Sequence, residues 1–249
     1  MPHARGPGWS GHVPLVCLGS ARRLTGTSGG LHCGVMTRLT LTPSDVNAIY
    51  CVGRNYAAHA AELGNPVSKS PLIFTKSRTC IVPFAGALSI PAALGRCDHE
   101  LEIAVRLGSA LSAADPAACL AGISHVGLAL DLTLREAQTA LKAKGHPWDL
   151  AKSFAGACPL SELLPVAGFD LTDLDLTLTI NGEVRQSGHC RQMLFSIGDF
   201  LSFLSHRIPL VPGDLILTGT PAGVGPLTEG DVLVGMLCGV ALAEGVVRR

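Results

Sequence analysis

"CDHELEIAV", Cys97 to Val105, places His99, Glu100 and Glu102 inside an apolar run, in a chain whose charged residues amount to only 15%. The stretch alternates with the two-residue period of a β-strand, so Glu100 and Glu102 share one face while Leu101 and Ile103 face a core. Two strand rises separate the carboxylates, roughly 6.5–7 Å along the chain. Like charges on one face repel, and burying them is costly unless something positive sits between them. Read alone, the strand serves equally well as a solvent-facing polar edge.

Its neighbours narrow the choice. In "GLALDLTLREAQ" (127–138) an apolar run, Val126–Leu130, ends on Asp131, where a carboxylate would close a strand. Three carboxylates with no cysteine beside them form an all-oxygen set that suits Mg²⁺, Mn²⁺ or Ca²⁺ rather than zinc. Upstream, "GRNYAAHAAELGN" (53–65) predicts a short helix over 56–63. There His59 and Glu62 stand at i and i+3, so the carboxylate can orient the imidazole and raise its basicity. A lone His-x-x-Glu also describes an ordinary surface helix. In "PWDLAKSF" (147–154), Lys152 lies in apolar surroundings, either snorkelling to solvent or facing an anionic substrate.

The whole chain excludes several function classes. Nineteen basic and nineteen acidic residues balance in 249, with a sequence pI near 7.1, so no global field draws the protein to nucleic acid or to an anionic membrane. The nine cysteines are scattered singly with no C-x-x-C pair, which argues against a disulfide framework or a zinc site and fits reduced thiols in the cytoplasm. The best apolar run, 232–243, contains two glycines and is shorter than the ~20 residues of a spanning helix. A small molecule or another protein chain is the expected partner.

Residues 1–35 are rich in Gly, Ser, His and Arg, and no acidic residue precedes Asp45, so this segment reads as a disordered or non-native extension ahead of Met36. A single domain is expected over 40–249. Strands are predicted at 48–52, 72–76, 99–107, 126–131, 175–180, 214–218 and 232–240, with a hairpin turn at Asn181-Gly182. Helices are predicted at 56–63, 116–123, 134–144 and 197–205, which makes the fold class α+β with a sheet-rich core.

In this order, "VGRNYAAHAAELGN", "LIFTKS", "HELEIAV", "LALDLTLREAQ", "PWDLAKSF" and "DLILTGTPAGVGP" resemble the fumarylacetoacetate hydrolase family, most closely its small single-domain acylpyruvase-like members. The resemblance implies a mixed β-sandwich roll, a homodimer, and a Mg²⁺ or Mn²⁺ held by Glu100, Glu102 and Asp131. It implies a lid on which His59 and Glu62 activate water, with Lys152 as a further catalytic group. Arg54, Lys76, Arg135, Gln138 and Thr220 would contact a keto acid substrate. The activity implied is metal-dependent carbon–carbon hydrolysis of an acylpyruvate such as acetylpyruvate or fumarylpyruvate, releasing pyruvate and a carboxylic acid; aromatic catabolism is the implied setting for related keto diacids. Oxaloacetate decarboxylation, or isomerisation or decarboxylation of keto diacids, is the alternative. The sequence departs from the family where Ser77 follows Lys76 and in "GHCRQM" (188–193).

Overall fold

The stretch around Glu100 is two strands belonging to two different sheets. The computed structural model describes residues 37–62, 64 and 69–249, so the segment 1–35 lies outside the described residues. In chain order the first strands are β1 (Ile49–Gly53), β2 (Leu72–Lys76), β3 (Ile81–Pro83), β4 (Ala85–Ser89), β5 (Cys97–His99) and β6 (Leu101–Leu107). Next come β7 (Ile123–Leu130), β8 (Thr133–Leu134), β9 (Cys158–Leu160) and β10 (Leu164–Pro165). The last are β11 (Asp175–Ile180), β12 (Glu183–His189), β13 (Leu215–Leu217), β14 (Gly225–Pro226), β15 (Val232–Leu237) and β16 (Val240–Arg248). The helices are α1 (Ala57–Glu62), α2 (Pro116–Ala121), α3 (Arg135–Ala143), α4 (Asp149–Lys152) and α5 (Ile197–Ser205).

The strands form an α+β architecture of curled sheets. An eight-stranded sheet runs β2-β1-β13-β6-β7-β9-β3, with β10 on β7, and a five-stranded sheet runs β12-β11-β15-β16-β4. A small third sheet, β14-β5-β8, adjoins them. Glu100 is the residue at which the chain leaves the small sheet and enters the large one.

Strand β6 divides two cores because its side chains alternate. Leu101, Ile103, Val105 and Leu107 enter the larger core together with Leu128 and Leu130 of β7 and Leu176 and Leu178 of β11. Ala104 faces the other way, into a smaller core with Ile49, Cys51, Ala129, Leu215 and Leu217. Each fully buried Leu or Ile contributes about 1.5–3 kcal/mol relative to exposure, so the odd-numbered face fixes the strand's rotation. Glu102 is thereby committed to the even-numbered face. The antiparallel register with β7 pairs Glu102 with Ala129 and Leu101 with Leu130, and the Asp131 N–H donates to the Glu100 carbonyl at 2.8 Å. That register sets Asp131 opposite Glu100.

One difference from the sequence reading has a clear cause. The strand predicted over 232–240 is the first arm of a hairpin, β15 and β16, that turns at Cys238 and Gly239 with φ of 49° and 73°. Cys-Gly is not a usual turn pair, so the apolar run hid the reversal. The predicted Asn181-Gly182 turn is present between β11 and β12, with φ of 53° and 83°, the positive values of a type I′ turn.

Candidate metal centre and catalytic cleft

Glu100, Glu102 and Asp131 converge so that one carboxylate oxygen from each lies within 4.8 Å of the others. All three are buried. Three buried carboxylates cannot share a site without compensating cations, and the chain supplies several. Lys152, at the end of α4, donates to Glu100 Oε2 at 2.8 Å and to Asp131 Oδ2. Lys76, at the end of β2, donates to Asp131 Oδ1 at 2.7 Å. Arg135, opening α3, donates to Glu100 Oε1 at 2.5 Å, to Asp98 Oδ2 at 2.8 Å and to Gln138 Oε1 at 2.8 Å.

The compensation is uneven. Burial works against the Glu100 charge, but Lys152 and then Arg135 outweigh it and hold the carboxyl well below the usual range. Glu102 accepts a hydrogen bond from the Gly219 N–H at 2.6 Å but pairs with no cation among the described residues. Burial, then the charges of Asp131 and Glu100, push its carboxyl well above the usual range. An all-oxygen set with one uncompensated carboxylate fits a hard divalent cation, and suits Mg²⁺ and Mn²⁺ alike.

Glu100, Glu102, Asp131, Arg135 and Lys152 line a cleft together with Arg54, His59, Phe74, Gln138, Lys142, Trp148 and Thr220. His59, on α1, is buried, and its Nδ1–H donates to Glu62 Oε2 at 3.1 Å. The other oxygen of Glu62 accepts the Gly223 N–H at 3.0 Å, which fastens α1 to the 218–223 loop. In this tautomer His59 Nε2 keeps a lone pair, the requirement for a general base.

Arg54 and Lys142 differ from the other cations because neither has a carboxylate partner among the described residues. Arg54 Nε is buried without a hydrogen bond, and Arg54 has φ 58°, an uncommon conformation for a residue other than glycine. Lys142 Nζ lies 5.1 Å from the Trp148 ring centroid. Burial, then the charges of Arg54 and Arg135, lower its pKa.

Of the substrate contacts read from the sequence, Lys76 lies outside the cleft and Thr220 lines it with its hydroxyl already bonded. Lys76 does not line the cleft: its ammonium is spent on Asp131 and the Leu132 carbonyl, because its strand position points it into the protein behind that carboxylate. Thr220 lines the cleft, but its hydroxyl donates to the Leu101 carbonyl at 2.8 Å, so the hydroxyl can offer a ligand only an acceptor. Arg54, Arg135, Gln138 and Lys152 do line it.

Lys142 was missed in the sequence reading, although the signal was there. It follows Arg135 and Gln138 at helical spacing on α3, so the three share a face. Phe74 and Trp148, whose ring centroids are 5.5 Å apart, also escaped, since they join only through the packing of β2 against α4.

The chain matches the family described as fumarylacetoacetate (FAA) hydrolase C-terminal over residues 48–247. It is 40% identical over 203 residues to oxaloacetate tautomerase YcgM of Escherichia coli, covering 81% of this chain and 93% of that protein. It is 43% identical over 184 residues to the mitochondrial oxaloacetate tautomerase FAHD1 of Homo sapiens, covering 74% and 83%. Among solved structures, fumarylpyruvate hydrolase from Pseudomonas aeruginosa in complex with Mn²⁺ and pyruvate superposes with a TM-score of 0.77 at 30% identity, covering 87% and 97%. No helix among the described residues is long and apolar enough to cross a membrane.

Proposed function

Since the chain belongs to the fumarylacetoacetate hydrolase family, we propose that it is an enzyme acting on oxaloacetate, moving a proton at the carbon beside the keto group to interconvert the keto and enol forms. The observation that carries this reading is the pair of cations left without carboxylate partners in the cleft, Arg54 and Lys142. Oxaloacetate is a dianion, and its second carboxylate would meet that pair through charge-assisted hydrogen bonds. Acetylpyruvate has one carboxylate and would leave them unmatched, whereas fumarylpyruvate, a dianion like oxaloacetate, would not. The curated relatives named as oxaloacetate tautomerases, at 40% and 43% identity, are also nearer in sequence than the fumarylpyruvate hydrolase at 30%. They favour the oxaloacetate alternative over acylpyruvate hydrolysis.

The residues divide the work. Glu100, Glu102 and Asp131 would hold a divalent cation, which supplies positive charge for the enolate that forms. Arg54 and Lys142 orient the substrate. His59 Nε2 takes the proton from carbon and delivers it to the enolate oxygen in the enol direction, and the reverse in the keto direction, while Glu62 holds the ring and offsets the charge of the imidazolium. The Lys152 ammonium adds a second positive charge at the triad. Trp148 and Phe74 wall the cleft and limit water.

A second reading is hydrolysis of an acylpyruvate, favoured by the same His59–Glu62 pair, which could activate water instead of taking a carbon-bound proton. One experiment separates them. With Mn²⁺ present, the ultraviolet absorbance of enol-oxaloacetate is followed alongside pyruvate release, and acetylpyruvate and fumarylpyruvate are assayed in parallel. Acceleration of enol–keto conversion is expected, with the oxaloacetate KM raised about tenfold or more in Arg54→Asn, the loss of one hydrogen bond to a charged group. Turnover of an acylpyruvate with no effect on oxaloacetate would replace this reading by hydrolysis.

A further inference from the structure

Gln186 is a buried amide in an exposed strand. Five of its six companions in β12 are exposed or half-buried, yet Gln186 is 1% exposed. A bulge accounts for this. In the β11–β12 register Leu178 pairs with Gln186 and Thr179 with Val184, so Arg185 is the extra residue, and the bulge re-aims the side chain that follows it.

The amide satisfies all four of its hydrogen-bonding positions. Oε1 accepts from the Leu101 N–H at 2.9 Å and from His99 Nδ1–H at 3.0 Å. Nε2 donates to Thr220 Oγ1 at 2.7 Å and to the Pro221 carbonyl at 2.9 Å. The first bond lies at the break between β5 and β6. Leu101 follows Glu100, where the chain changes sheets, and its N–H is taken by a side chain of the five-stranded sheet. The bonds to Thr220 and Pro221 hold the 218–223 loop, which donates the Gly219 N–H to Glu102 and the Gly223 N–H to Glu62.

The geometry points to Gln186 as a positioning residue for the metal centre: one amide sets the spacing between the Glu100–Glu102 segment and the loop that holds Glu102 in place. It touches neither substrate nor cation, and acts through Leu101, Thr220 and the loop. This rests on the reading of Glu100, Glu102 and Asp131 as a divalent-cation site. A closed polar network of this kind is rigid only while every member is satisfied, so losing the amide frees both sides of the centre at once.

The test is Mn²⁺ affinity, measured by isothermal titration calorimetry without substrate. Gln186→Met keeps the side chain's length and removes all four bonds, and its Mn²⁺ affinity is expected to fall about 10–100-fold. Gln186→Glu keeps the two acceptor bonds and should fall between that variant and the wild type. Leu178→Ala, at the register partner of Gln186, removes core packing without touching the amide, so it should lower the melting temperature and leave Mn²⁺ affinity unchanged. If Gln186→Met binds Mn²⁺ like the wild type, or loses affinity only as much as Leu178→Ala does, the positioning role is overturned. Should Gln186→Met not fold, wild-type affinity in Gln186→Glu overturns it and weakened affinity supports it. A wild-type protein that binds no Mn²⁺ overturns the metal reading together with the inference built on it, which distinguishes the two failures.

Discussion

Lys152 Nζ donates to Glu100 Oε2 at 2.8 Å and also bonds Asp131, so one buried ammonium answers two of the three carboxylates of the candidate metal centre. A lysine and a divalent cation therefore draw on the same oxygens. Removing one partner from a buried ion pair costs about 3–5 kcal/mol, because the remaining charge is left uncompensated. Lys152→Met should lower stability by roughly that amount in EDTA and recover much of it when Mn²⁺ is added. Chemical denaturation under both conditions measures this. An equal loss with and without Mn²⁺ would show that the ammonium and the cation do not share these carboxylates.

The His59–Glu62 pair predicts a separable loss of turnover. His59→Asn removes the base while leaving the carboxylate triad intact, so kcat for oxaloacetate should fall about 10²–10⁴-fold. Mn²⁺ affinity should be unchanged. Steady-state kinetics at saturating metal, with calorimetry on the same preparation, decide the matter; a parallel loss of Mn²⁺ binding would assign His59 to the metal instead.

Lys142 gives the cleft a pH limb. Burial, then the charges of Arg54 and Arg135, bring its pKa below the ordinary lysine value of 10.5. The charge is lost as pH rises through the depressed value. Oxaloacetate KM should rise on the alkaline side before a free lysine would titrate. Lys142→Arg, charged throughout, should flatten that limb in a KM–pH profile. For stability the sign is opposite. The native state holds this proton less tightly than the unfolded chain, so this group's contribution to folding improves as pH rises through the same window.

Gly223 predicts a backbone defect. Its φ is +96°, and a Cβ built there would lie 1.9 Å from the Arg185 carbonyl oxygen at the β12 bulge. Gly223→Ala should destabilise the protein by about 2–4 kcal/mol, combining the left-handed backbone penalty with overpacking. The loop would also lose its hold on Glu62. A denaturation midpoint like that of the wild type would mean that the loop can move away from the bulge.

Several element positions were legible because local pattern and burial agree there. The runs at Leu72–Lys76, Asp175–Ile180 and Ile197–Ser205 occupy the bounds the sequence assigns, since each combines a clear period with turn residues or a cap at its ends. Ser196 caps the last of them, accepting the Asp199 N–H. The break at Glu100 was not legible. The alternation of "CDHELEIAV" is continuous, and the sheet change depends on Gln186, 85 residues beyond Leu101 in the chain, accepting the Leu101 N–H.

The sequence alone determined which groups were the candidates: Glu100, Glu102 and Asp131 as an oxygen donor set, and His59 with Glu62 at helical spacing. Those are local facts, because side-chain chemistry and a period of two or 3.6 residues are written in neighbouring positions. Tertiary structure alone decided how the charges are answered. Lys76 passes behind Asp131 rather than into the cleft, Lys152 bridges two carboxylates, and Arg54 with Lys142 have no carboxylate partner among the described residues. Which cation meets which carboxylate depends on the register of β6 with β7 and on the packing of α4 against β2, and distance in space, unlike spacing in sequence, sets the Coulomb energy.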